Sequence, residues 1–299
     1  MAQELSFEEL FDTEFLSALE AFTLRAKRVP QGGFFANQNS PSRGSGLEFQ
    51  DFKAYVPGDD IRAIDLNIYQ RLGKLFIRIF EEQRNLPIYL LVDQSASMYL
   101  EDSSRIIAGL RSALALTSLS LSQHDSVALY SFTDQLHTLT RSRTGKHNLI
   151  PIARLMSELY QGTTTDLSDS LAEFGQYKLR RGLLVVISDF FDPMVFEDFA
   201  RRLRLVKHRS ILIQLVKDSD GDPTLQAELN GDVRLLDCET NIGLDISIDP
   251  VVLTRYRNAY QDFTRKLAND AAASNSGLLV VNVEQDVLKQ LSSMFQYPV

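Results

Sequence analysis

The sequence predicts an open α/β sheet, mostly parallel, flanked by helices on both faces, with a small helical and β-strand extension at its amino end. Three observations predict it. From residue 86 onward, strand-length apolar runs alternate with segments of helical periodicity. Those runs, such as "IYLLV" and "GLLVVIS", are nearly continuous, as expected of strands buried on both faces and joined by helices. Before residue 86 the texture changes, to an amphipathic helix, a Gly/Pro/Ser-rich stretch and short alternating strands.

In order along the chain, Phe7, Leu10, Phe11, Phe15, Ala18, Leu19 and Phe22 recur at helical spacing over 7–26, with Ser6 and Glu9 as a capping box. This helix packs either on its own chain or on a partner. The stretch 29–46 reads as a loop, and "LFIRIF" alternates as a strand, Leu75, Ile77 and Ile79 against Phe76, Arg78 and Phe80. The alternation after residue 86 gives a strand ending at Asp93, a helix over 103–121, strands over 126–132 and in "QLHTLT", and helices over 148–160 and 167–177. A strand over 182–188, a helix over 195–206 and a strand over 210–216 follow. Short strands then interrupt the pattern, with Asn230-Gly231 as a turn signal. Asp249 caps a long helix with Pro250 at its first position, Gly277 lies past its end, and a strand and a last helix over 285–295 complete the chain. The expected organisation is an N-terminal segment over 1–85 and an α/β domain over 86–299 with a β insertion at 220–249. The strands of 47–81 and of 232–249 are expected to join in one small β-subdomain.

Composition narrows the function. A net charge of −8 argues against a general nucleic-acid or anionic-membrane binder, both of which need clustered positive charge. Cys238 is the one cysteine, so no internal disulfide forms and a reducing compartment is expected. The acidic start "MAQELSFEELF" has no apolar core of a signal peptide, and no apolar run reaches membrane-span length, so a cytoplasmic protein is expected. Phosphate-loop, dinucleotide-binding and serine-hydrolase motifs are absent, so intrinsic nucleotide binding is not expected. His124, His137, His147 and His208 are too scattered for a zinc motif.

The residues that carry chemistry lie in "LLVDQSASM". Asp93 ends a buried strand, and Ser95 and Ser97 follow at alternate positions, so three oxygens can turn toward one point. In open α/β sheets ligands bind beyond the carboxyl ends of strands at the switch point. One carboxylate and two hydroxyls are a hard ligand set suited to Mg²⁺ or Mn²⁺. A second copy of the spacing, Asp166-x-Ser168-x-Ser170, follows no apolar strand, and its Asp166 and Ser168 read as helix caps. Thr165 offers another hydroxyl, and Asp189 ends its own strand as Asp93 does, as either a helix cap or a fifth member of one shell. The convergence requires the two strands to be neighbours.

Asp93, Ser95, Ser97, Thr165 and Asp189 together resemble the metal-ion-dependent adhesion site of von Willebrand factor A domains, over residues 86–283. The resemblance implies a Rossmann-like sheet holding a divalent cation, with one position left for a partner's Glu or Asp. A second resemblance rests on Gly46, Glu48-Phe49, Tyr55, Pro57-Gly58-Asp59-Asp60, Arg62, Ile64-Asp65, Arg71 and Glu81. This order is similar to that of bacterial proteins with a domain-of-unknown-function label, commonly associated with MoxR-type AAA+ ATPases. Leu66 stands where many of them carry Trp. The resemblance implies a non-catalytic adaptor for such an ATPase in complex assembly or maturation. The turn Gly58–Asp65 itself is expected to be held by a bidentate pair between Arg62 and a carboxylate. The alternative is a metal-dependent phosphoesterase using Asp93 and Asp189, which a chain with only two strand-end carboxylates supports less well.

Overall fold

A computed structural model describes residues 5–26, 47–82, 86–100, 102–162, 166–191, 196–225, 231–238 and 242–296. The 29–46 stretch lies outside them. The helical segment expected over 7–26 is two helices, α1 (Phe7–Leu10) and α2 (Thr13–Ala26). The break has a local cause and a distant one. Asp12 accepts from the Phe15 amide at 2.7 Å and so starts a new helix, while Arg111 donates to the Leu10 carbonyl at 2.8 Å and to Asp12 at 2.6 Å. The Ser6–Glu9 capping box caps α1.

The chain divides into two compact units. The smaller holds β1 (Leu47–Ala54), α3 (Leu66–Leu72) and β2 (Phe76–Glu82), with β1 and β2 antiparallel. The larger holds α1 and α2 with everything from residue 86 onward. Helices α1 and α2, grouped by the sequence reading with residues 1–85, therefore contribute to the α/β core of their own chain, through Leu10, Phe11, Phe15, Leu19 and Phe22.

The main sheet is built from β3 (Pro87–Asp93), β4 (Ser126–Phe132), β5 (Leu136–Thr144), β6 (Leu183–Ser188), β7 (Arg209–Val216) and β10 (Gly277–Asn282). Its order is β10-β7-β6-β3-β4-β5, parallel throughout except for the antiparallel edge strand β5. This is the expected α/β class. From β3 the chain winds outward to β4 and β5, then returns to β6 on the other side. The switch point therefore falls between β3 and β6.

Alternate residues of each strand face two cores. Ile88, Leu90 and Val92 meet α1, α2, α4 (Ser104–Ser122), α5 (Leu149–Ser157) and α10 (Val287–Gln296). Tyr89 and Leu91 face α6 (Leu167–Gln176), α7 (Phe196–Leu205) and α9 (Pro250–Ala273). Helix α4 is buried almost along its whole length. Three of its hydroxyls are satisfied inside it: Ser112, Thr117 and Ser120 donate to the carbonyls of Ala108, Ala113 and Leu116 at 2.6–2.8 Å.

A one-turn helix, α8 (Asp218–Gly221), precedes a hairpin of β8 (Gly231–Leu236) and β9 (Gly243–Ile248), which pair only with each other. The joint β-subdomain expected from 47–81 and 232–249 is not formed, because each segment closes its own two-stranded ladder. The hairpin bend falls between Leu236 and Gly243, and Gly231 opens β8 with φ +74°. The turn that ends α9 likewise uses Asn275, at φ +53°, ahead of Gly277, which starts β10. Among the described residues no helix is long and apolar enough to cross a membrane.

Candidate functional site at the carboxyl ends of β3 and β6

β3 and β6 are hydrogen-bonded neighbours, with Val92 opposite Ile187, so Asp93 and Asp189 emerge side by side at the switch point. Both are buried. The Asp93 carboxylate is aimed by two donors: the Ser95 amide at 2.8 Å on Oδ1 and the Ser188 hydroxyl at 2.6 Å on Oδ2. Ser188 in turn accepts from the Phe190 amide at 2.9 Å, in a turn where Phe190 takes φ +60°. Beyond Asp93 the chain makes a 3₁₀ turn, Ala96–Tyr99, which brings the Ser95 and Ser97 hydroxyls to 2.9 Å from one another. Asp189 Oδ1 accepts from the Phe191 amide at 3.2 Å, whereas its buried Oδ2 accepts no hydrogen bond.

Burial is the main cause that raises the pKa of both carboxyls. For Asp93 the charge of Asp189 adds to it. For Asp189, the Ser97 hydroxyl is the largest of the opposing influences, and Arg105 also opposes. Arg105 is itself buried. It pairs with Asp220, lies over the Phe191 ring at 5.6 Å and leaves its Nε without a partner. Asp220 is fixed by the Lys217 amide at 2.7 Å, and Lys217 Nζ reaches Asp102 at 2.9 Å.

Four of the five sequence-predicted shell residues, Asp93, Ser95, Ser97 and Asp189, thus gather at one place. Thr165 lies outside the described residues. Its flanks are tied to the same strand ends: the Gly162 amide donates to the Gln94 carbonyl at 2.8 Å, and the Asp166 amide to Thr133 at 2.9 Å. The second motif copy is a helix start. Asp166 caps α6 by accepting from the Asp169 amide at 2.7 Å. Ser168, expected as a cap, lies inside the first turn, where its hydroxyl interacts with Asp198.

Sequence reasoning missed Ser188, Gln94, Gly162 and Arg105. Ser188 was adjacent to a singled-out aspartate, but a hydroxyl on the last residue of an apolar strand carries no spacing signal. Gln94 is locked by Tyr99, just past the quoted motif, whose hydroxyl donates to it at 2.7 Å.

In the smaller unit, the expected Arg–carboxylate pair does not form. Asp59 pairs with Lys53 at 3.2 Å and accepts from the Val56 amide at 3.0 Å. Asp60 caps the turn by accepting from the Arg62 amide at 2.9 Å, and Asp65 caps α3 through the Asn67 and Ile68 amides. Gly58 sits at φ +112°, where a side chain would be strained. Carboxylates followed by free backbone amides form caps more readily than they recruit a long side chain. These residues build a turn and the start of α3.

Among the described residues no group of three or more His, Cys, Asp or Glu stands together as a metal cluster. Any cation held at Asp93 would depend on hydroxyls as well as carboxylates.

The fold defines a doubly wound α/β protein with a buried polar cluster at its strand ends. The chain belongs to the family described as protein of unknown function DUF58, whose model matches residues 51–268. Uncharacterized protein Rv1480 of Mycobacterium tuberculosis is 25% identical over 291 residues, covering 95% of this chain and 89% of its own; uncharacterized protein Mb1516 of Mycobacterium bovis matches equally. Among solved structures, BatB from Bacteroides thetaiotaomicron matches 71% of this chain and 100% of its own, with 11% identity and a TM-score of 0.39. A von Willebrand factor type A protein from Catenulispora acidiphila matches 74% of this chain and 43% of its own, at 10% identity and a TM-score of 0.39.

Proposed function

We propose that this protein is a non-catalytic binding module in which Asp93, Ser95, Ser97 and Asp189, with Thr165, hold a divalent cation that captures an acidic side chain of a partner protein. The single observation that carries the reading is the buried, unpartnered Oδ2 of Asp189 beside the Asp93 carboxylate and the paired Ser95 and Ser97 hydroxyls. A buried carboxylate oxygen without a donor is costly, and a hard cation is the group that carboxylates and hydroxyls suit. When bound, Mg²⁺ or Mn²⁺ would supply the positive charge that attracts a partner's Glu or Asp. This chain's residues do the positioning. The Ser95 amide and the Ser188 hydroxyl fix the Asp93 carboxylate, and the 3₁₀ turn presents both serine hydroxyls on one side.

The phosphoesterase alternative has less support: phosphoryl chemistry gathers several carboxylates round its metals, and no group of three or more His, Cys, Asp or Glu stands together as a metal cluster among the described residues. The partner we infer is a MoxR-type AAA+ ATPase, with this protein as its adaptor in the cytoplasm, a reading that rests on the signature from Gly46 to Glu81.

Calorimetric titration of Mg²⁺ and Mn²⁺ into wild type, Asp93→Ala and Asp166→Ala tests the site. Binding should vanish in the first variant and persist in the second. Equal binding by wild type and Asp93→Ala would refute it. Capture of the purified ATPase should in turn be abolished by chelator, and capture that survives chelation removes the metal bridge.

A further inference from the structure

At the opposite end of the sheet, where β3 and β4 begin and the loop from α6 enters β6, lies a cavity of 570 Å³. Its walls are aromatic: Tyr89 on β3, Tyr130 on β4 and Tyr177 just past α6, with the rings of Tyr130 and Tyr177 6.1 Å apart. Its rim is basic, formed by Arg141 on β5 and by Lys178 and Arg180. No carboxylate lines it, and none of the three cations takes part in an ion pair among the described residues. In a chain of net charge −8, three unpaired cations round one opening are a local reversal of sign.

Two observations mark the cavity as a built site. Tyr130, 4% exposed, has its ring held by those of Phe174 and Tyr177, with centroids at 5.5 and 6.1 Å. The rim is also fixed: the Tyr89 hydroxyl donates to the Arg180 carbonyl at 2.9 Å, and a Cβ on Gly182 would stand 2.1 Å from the Pro87 carbonyl oxygen, so the loop is seated tightly on β3.

We propose that this cavity binds a nucleoside phosphate, its ring among the tyrosines and its phosphate among Arg141, Lys178 and Arg180. The volume falls within the range of small-ligand sites, flat bases stack on aromatic faces, and guanidinium and ammonium groups recognise phosphate. The Tyr130 hydroxyl then hydrogen-bonds the ligand. Binding of this kind needs no phosphate loop, because side chains and not loop amides carry the charge. The site is separate from the Asp93 cluster: along β3 its lining runs from Pro87 to the level of Leu91, opposite Tyr130, about 20 to 7 Å from Asp93 at about 3.3 Å per residue.

Calorimetric titration of the full chain with AMP, GMP, CMP and UMP, and with inorganic phosphate and the matching free nucleosides, tests it. At least one nucleotide should bind with a Kd at or below about 1 mM. Its nucleoside and phosphate alone should each bind roughly tenfold or more weakly, since each keeps half the contacts. Arg141→Ala with Lys178→Ala, both exposed, should weaken binding about tenfold or more without altering thermal unfolding. Tyr130→Phe should weaken it by about threefold or more, and Asp93→Ala should leave it unchanged. Absence of binding by all four nucleotides, binding of phosphate as tight as that of any nucleotide, or indifference to the Arg141/Lys178 pair would overturn the proposal.

Discussion

Gly162 is the position where one methyl group should do most damage to the strand-end site. Its amide donates to the Gln94 carbonyl at 2.8 Å, tying the segment before Thr165 to the loop that carries Ser95 and Ser97. A Cβ there would stand 2.2 Å from Thr133 Cγ2 and 2.8 Å from Thr133 Cβ, with the Gln94 carbonyl oxygen at 3.2 Å on another side. Non-bonded carbons rest about 3.5–4.0 Å apart, so something must move by more than about 1 Å. Thr133 cannot readily turn away, because it is β-branched, its hydroxyl donates to Asp134 at 2.9 Å, and its Cβ is itself in the way. Gly162→Ala should therefore cost about 1–3 kcal/mol in urea unfolding, and should weaken cation binding at Asp93 by displacing the segment. Thr133→Ser removes the nearer methyl and keeps the hydroxyl, so the double variant should regain part of the loss, with a coupling of roughly 1 kcal/mol. A Gly162→Ala protein within about 0.5 kcal/mol of wild type, or strict additivity with Thr133→Ser, would refute the packing argument. A destabilised variant with unchanged cation affinity would detach this segment from the site.

Three further outcomes follow from the structure. Asp125 is buried at the α4–β4 turn, where it accepts from the Leu86 amide at 2.8 Å and burial pushes its carboxyl up to about 6 from 3.8. A carboxyl raised on folding gives its full stabilisation below the unfolded value and loses it as pH climbs through 6. Asp125→Asn, which keeps the acceptor, should then outgrow wild type between pH 4 and 7 and level off roughly 3 kcal/mol more stable by urea titration, at about 1.36 kcal/mol per pH unit between the two values. Ser188→Ala removes a donor to Asp93 and the acceptor of the Phe190 amide, and should cost about 1–3 kcal/mol, with cation affinity reduced several-fold but not abolished in calorimetry. Phe11→Ala, at a side chain 1% exposed between α1 and the core, should cost about 3–5 kcal/mol in the same unfolding assay, whereas a helix serving only a partner would show almost none.

The sheet was legible because its strands are buried on both faces, and burial writes itself as uninterrupted apolar runs such as Leu183–Ser188. Asp249 and Pro250 marked the start of α9 for an equally local reason, a cap followed by a residue that needs no helical amide partner. What failed depended on contacts between distant residues. The break at Phe11 is imposed by Arg111, a hundred residues on, and no period in 7–26 announces it. The hairpin register was not readable, because Asn230-Gly231 signals a turn without saying which strands pair, while pairing of Leu235 with Leu244 is a tertiary outcome. At the site, strand context separates the two copies of one spacing: Asp93 ends a buried strand, and Asp166 caps a helix. Arg105 stayed invisible because its partner Asp220 lies 115 residues away, on a one-turn helix with no pattern of its own.

Arg105 also bears on why the site is arranged as it is. Asp93, Asp189 and Asp220 act on one another through a poorly solvated region in which Arg105 is the cation that tempers Asp189, while Lys217 is engaged with Asp102. Three carboxylates against one guanidinium leave a surplus of two negative charges when all are ionised. Burial makes such a surplus expensive, and raised pKa values at Asp93 and Asp189 are how that expense is expressed without a counter-charge. A core built for stability alone would place apolar side chains there, as it does one residue earlier on β3 with Val92 and two residues earlier on β6 with Ile187. Under the reading proposed here the surplus matches a divalent cation in sign and size, and the fold gives up stability at the switch point in exchange for a preformed, negatively charged shell.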